Sequence, residues 1–221
     1  MVFYLPDIHI DDYRKEALEK AKHIDSLFDP DYVAHEGSWV IDREFIEKAR
    51  LAKERAEKGF ENLPFSDYVL ASLDLTYAQW FLENSDARII GLEDRELFSY
   101  LLPRVKGIYL AGKKEKRELS GHEKAEAEYL KSQGLFDPGL TIQDIIPSLD
   151  RERTRIAAEK IEKAAKAGKR VLVIMGFKHK ESLKNEMNRR GISYVFLGLP
   201  NKWENFARKI EGIYEESARQ K

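Results

Sequence analysis

The sequence predicts an α/β fold, a mainly parallel central sheet flanked by helices, forming a single domain over residues 1–221. Three observations predict it. Four short apolar runs have the length and composition of buried parallel strands. Amphipathic helical segments lie between them. Each run also leads into a histidine or a glutamate: Val2–Ile8 into His9, Tyr32–His35 into Glu36, Ala87–Leu92 into Glu93, and Val171–Lys178 into His179. Ligands of open α/β sheets bind outside the carboxyl ends of the strands, so these four side chains are expected at one rim. Imidazoles and carboxylates gathered in a cleft point to a metal-assisted or acid–base site.

The elements follow in order. Pro6 sits late in the first strand and lacks a donor, so that strand is irregular there or lies at an edge. Asp11 or Asp12 caps a helix to about Phe28, with Tyr13, Ala17, Ala21, Ile24 and Phe28 on one face. Asp29-Pro30 stops it before the strand of His35 and Glu36. From Asp42 a second amphipathic helix runs to about Gly59, with Phe45, Ala49, Ala52, Ala56 and Phe60 on its apolar side. Ser66 opens a helix through Phe81 that is apolar nearly all round and is expected in the core. The Glu93 strand comes next. Ile108–Ala111 reads as a short strand, residues 112–122 as a mobile loop, and Glu123–Gln133 as a helix. A charged helix spans about Asp150–Ala167, and Gly168 ends it. Gly176 suits a turn that needs positive φ or a close backbone approach. A helix at Glu181–Arg190 and a strand at Ile192–Leu197 follow. The last helix, 203–218, has an apolar stripe through Trp203, Phe206, Ile210 and Tyr214. It packs back on the sheet, the favoured option, or joins a second copy in a homo-oligomer.

Composition narrows the function. Charged residues reach 35%, above the usual ~25%, yet the net charge is −1. A balanced charge gives no general attraction to nucleic acid or an anionic membrane. There is no cysteine, which removes disulfides, thiolate nucleophiles and thiolate-bound metals together. High charge with three methionines is thermophile-like. The amino terminus lacks signal-peptide order and no apolar stretch is long enough for a bilayer, so the expected location is cytoplasmic.

Alternation along a strand sends His35 and Glu36 to opposite sides, which keeps Glu36 for the site and makes His35 a supporting or structural group. His23 is expected in solvent. His122 would reach a site only if the 112–122 loop closed. Arg151, Arg153 and Arg155 begin the charged helix, where cations oppose the helix dipole; an inward, anion-facing arginine is the expected reason. Arg153 has the planar fork to polarise a carbonyl or hold a carboxylate.

These residues together resemble the TraB/TIKI family, within the superfamily of erythromycin esterase-like and ChaN-like proteins. That family has two Gly-x-x-His motifs. The second stands here as Gly176-Phe177-Lys178-His179, and the first reads Pro6-Asp7-Ile8-His9, with proline for glycine. Asp29–Glu36 is similar to its Pro-Asp-x-Val-x-x-Glu strand, Ile90–Leu97 to its hydrophobic–Asp-Arg-Asp element, and Arg151–Ala157 to its Glu-Arg helix, with Arg153 the matching arginine. Residues 103–148 match poorly, and the carboxyl-terminal membrane spans of many TraB proteins are missing. The resemblance implies His9, Glu36, Arg153 and His179 around one pocket. The expectation is a hydrolase of peptidase or esterase type, acting on a small molecule or peptide. A divalent metal (Mn²⁺, Co²⁺ or Zn²⁺) would be bound by His9, His179 and Glu36, with Glu93 completing the shell. A metal-free route would use a histidine as general base. The alternative is a non-catalytic protein that binds a small ligand or a metal at the same rim.

Overall fold

The computed structural model describes residues 1–7, 11–59, 63–135, 142–198, 203 and 205. Five parallel strands make the predicted sheet: β1 (Val2–Asp7), β2 (Tyr32–His35), β3 (Arg88–Gly91), β4 (Val171–Gly176) and β5 (Tyr194–Phe196), in spatial order β3-β2-β4-β1-β5. The helices are α1 (Asp11–Phe28), α2 (Arg43–Lys58), α3 (Phe65–Ala71), α4 (Thr76–Asn84), α5 (Arg95–Lys116), α6 (Gly121–Ser132), α7 (Ile142–Lys166) and α8 (Lys180–Arg189). A 3₁₀ turn, Phe177–His179, joins β4 to α8.

The chain divides into two compact units. One holds Met1–Arg43, Asp74–Glu93 and the chain from Arg151 onward; the other holds Glu44–Leu73 and Asp94–Asp150. The first contains the sheet, and side-chain alternation sorts its two faces. Tyr4, Ala34, Val171, Val173 and Met175 pack against Ala157, Ala158 and Ile161 of α7 and Leu183 and Met187 of α8. Leu5, Val33, Leu172 and Ile174 pack against Tyr13, Ala17 and Ala21 of α1 and Tyr77 and Phe81 of α4. Burying aliphatic side chains on both faces stabilises by about 1.5–3 kcal/mol each, which is why these strands are apolar throughout.

The strand order decides where a crevice forms. From β1 the chain moves toward β3 with α1 and α4 on one face, then returns to β4 and β5 with α7 and α8 on the other. A single crossover hand requires this exchange of faces. β4 therefore leaves its carboxyl end in the opposite direction to both neighbours, β1 and β2. The rim opens there.

Pro6 fits its strand because β5 reaches only as far as Tyr4 along β1. No β5 residue is paired with Pro6 among the described residues, and the Tyr13 hydroxyl donates to the Pro6 carbonyl. Asp29, at φ 45°, ends α1 in the left-handed conformation that Asp tolerates.

Several expectations need correction. Residues 66–81 form two helices. Asp74 starts α4 by accepting from the Thr76 N–H (3.1 Å) and hydroxyl (2.8 Å), and α3 buries no residue fully. Ile108–Ala111 is helical, inside α5, whose start is set by Asp94 accepting from Glu96 and Leu97 N–H groups. The expected 112–122 loop is the end of α5, a short link and the start of α6. Lys113 and Arg117 bind Glu123, which also closes a capping box with Ser120. α7 begins at Ile142, so Arg151, Arg153 and Arg155 lie in mid-helix, where the dipole penalty does not act. Gly176 has φ −51°, so a positive φ is not what it supplies; its N–H lies 2.6 Å from the Glu36 carboxylate. Of the 203–218 helix only Trp203 and Asn205 are described; Trp203 packs edge-on against Tyr13 and donates to Glu16 at 2.9 Å.

Candidate functional site

Three strands of the first unit deliver side chains to one cluster. Glu36 follows β2, Glu93 follows β3, and His179 follows β4 on the 3₁₀ turn. Arg153 comes down from α7. Glu36 Oε1 accepts from the Arg153 Nη2 group at 2.9 Å and contacts His179 Nε2 at 3.1 Å; its Oε2 accepts from the Gly176 N–H at 2.6 Å. Arg153 also grips Glu93, through Nε at 3.1 Å and through Nη2. An ionised carboxylate only accepts, so His179 carries its proton on Nε2.

The electrostatics follow from burial and pairing. Burial pushes the Glu36 carboxyl up, but the imidazole of His179, the Arg153 guanidinium and the Gly176 N–H outweigh it and hold the group well below the carboxylate range. Burial works against the Arg153 charge, and Glu93 and Glu36 more than restore it. Side chains of Glu36 (13% exposed) and Arg153 (11%) still reach solvent, whereas His179 is wholly covered. Arg153 Nη1 has no hydrogen-bond partner among the described residues.

A second group lies on the α1/α4 side of the same rim. Asp7, the last residue of β1, is buried and accepts from the Tyr77 hydroxyl at 3.0 Å. His35 points to this side, its ring 6.0 Å from that of Tyr77, as strand alternation requires. Burial keeps His35 below the ordinary histidine value despite the opposing pull of Asp74, Asp7 and Glu36. Arg14 pairs with Asp74 beside it.

Glu36, Glu93, Arg153 and His179 lie together at hydrogen-bond distance, while His9 lies outside the described residues. His23 is exposed, and His122 is 83% exposed on α6, in the other unit. Tyr77 and Lys160 were not singled out as site residues. Lys160 carries a legible signal, lying seven residues after Arg153 on one helix face. Tyr77 carries none, because it reads as one more apolar position of its helix.

Among the described residues no three His, Asp or Glu are grouped so as to hold a metal ion. The carboxylates of Glu36 and Glu93 converge on the guanidinium of Arg153, which stands between them as a fixed cation. The described donors form an arginine-centred ion cluster; the metal shell expected from the sequence also includes His9, which lies outside the described residues. No helix among the described residues is long and apolar enough to cross a membrane.

No family model, curated protein or solved structure matches the chain, so the likeness to TraB/TIKI proteins rests on the motifs alone.

Proposed function

We propose that this protein is a hydrolase that cleaves an ester or amide bond of a small molecule or peptide by acid–base chemistry at the rim between β1, β2 and β4. The observation that supports this reading best is the Glu36 carboxylate, held simultaneously by His179, Arg153 and the Gly176 N–H. Four groups from three separate parts of the chain are fixed there at hydrogen-bond distance, with the side chains of Glu36 and Arg153 still reaching solvent. Preorganised polar groups of this kind are the largest source of transition-state stabilisation in many enzymes.

In this reading His179 is a positioning residue, because it is covered and acts through Glu36. Glu36 and Glu93 aim the guanidinium of Arg153, and its Nη1 donates to the oxygen of the attacked carbonyl as negative charge develops. His9, expected from the sequence beyond the end of β1, takes the proton of the attacking water as its oxygen bonds to the carbonyl carbon. That proton then passes to the leaving alcohol or amine as the scissile bond breaks.

The test is a panel of 4-nitrophenyl esters and fluorogenic peptides, run on wild type and on Glu36→Gln. The reading predicts turnover by wild type and a loss of about 10²–10³-fold in the variant, with the fold retained by circular dichroism. Equal turnover in both overturns it. No turnover in either, together with saturable binding of a small ligand, favours the non-catalytic alternative.

A further inference from the structure

α7 presents a second long cation beside Arg153. Lys160 lies two helical turns further on and projects from the same face. Between them Ala157 and Ala158 are completely buried against the sheet, so this stretch of helix lies close to the strands. Lys160 Nζ donates to the Gly91 carbonyl at 2.8 Å and to the Glu93 carbonyl at 2.5 Å. The same turn is held from its other side. The Leu92 N–H donates to the His35 carbonyl at 2.9 Å, and the Glu93 N–H to the Ser38 carbonyl at 3.2 Å. The backbone of Glu93 is thus gripped at both its N–H and its C=O, and its side chain takes the fork of Arg153. An ammonium is strongly hydrated, and its flexible stem loses rotamer freedom when tied down. Committing one to two carbonyls of a single turn is costly, and what it secures is the place of Glu93.

We infer that Lys160 is a positioning residue. Its ammonium locks the Gly91–Glu93 turn, so that Glu93 sets the guanidinium of Arg153 against Glu36 and toward the reacting carbonyl. The kinetic consequence rests on the hydrolase reading; the structural consequence does not.

Two readouts on the full chain separate them. The Arg153 Nε–H, donated to Glu93, gives an NMR signal whose exchange with solvent reports how firmly the fork is held. Lys160→Met should speed that exchange by about tenfold or more, and Lys160→Arg, whose fork reaches both carbonyls, should restore it. On a 4-nitrophenyl ester the Met variant should lose about 10–100-fold in kcat, with KM within about twofold, and the Arg variant should recover most of the loss. Unchanged Nε–H exchange in Lys160→Met overturns the inference, as does failure of Lys160→Arg to restore either readout. Should the Met variant not fold, Lys160→Gln is read in the same way, and unchanged exchange there is equally fatal. If wild type cleaves no substrate, the exchange measurement still decides the role of Lys160, and only the hydrolase reading falls.

Discussion

Arg153 is the residue on which the rim depends. Its guanidinium separates two carboxylates that would otherwise face each other in a poorly hydrated place. Removing one member of a buried ion cluster strands the rest, at about 3–5 kcal/mol. Arg153→Met should therefore lower stability by that order in urea denaturation, while a substitution at exposed Arg151 should change little. Gly91 is a second demanding position. A Cβ there would overlap the Ser38 carbonyl oxygen and lie 2.7 Å from the Trp39 carbonyl carbon, both backbone atoms. Gly91→Ala should cost about 1–3 kcal/mol by the same measurement, the usual range for overpacking. Glu36 and His35 were legible from period-two alternation alone, because adjacent residues at a strand end must part company. The pairing of Asp7 with Tyr77 was not. Their partnership spans strand and helix, and nothing in either local stretch signals it.

Strands β1, β2 and β4 were legible as elements because complete burial demands apolar runs that end sharply. The helical connections were less so. The segment 66–81 reads as one apolar helix, and only the Asp74–Thr76 hydrogen bonds show why a new helix starts there. Ile108–Ala111 is short enough to suit a strand or a buried helical turn, and periodicity cannot separate the two. The entry to β2 makes a prediction at this scale. Asp31 accepts from the Arg170 N–H at 2.8 Å and pairs with Lys169 at 3.0 Å, tying β2 to the start of β4. These bonds lower its pKa from 3.8 to about 2. A depressed carboxylate adds stability that is fully present above its unfolded pKa and is lost as pH falls through the folded one. Wild type should thus lose stability between about pH 4 and pH 2 to a greater extent than Asp31→Asn, as read from thermal unfolding across that window.

For the molecule as a whole, the order of strands matters more than any single motif. Because β4 turns to the face opposite β1 and β2, residues far apart in sequence (Glu36, Glu93, Arg153 and His179) meet at one rim. The second compact unit is built from two separate stretches, which is why no shift of composition or linker marks it in the sequence. The guanidinium standing between the carboxylates also makes a prediction about metal. Dialysis against a chelator should leave ester turnover unchanged, and loss of turnover with recovery on adding Mn²⁺, Co²⁺ or Zn²⁺ would favour the metal-assisted expectation instead. The convergence itself is tested most directly by a double-mutant cycle on stability, with Glu36→Gln, Arg153→Met and the pair measured in urea. Side chains in one ion network should show a coupling of about 1–3 kcal/mol, and additivity within about 0.5 kcal/mol would contradict the shared site.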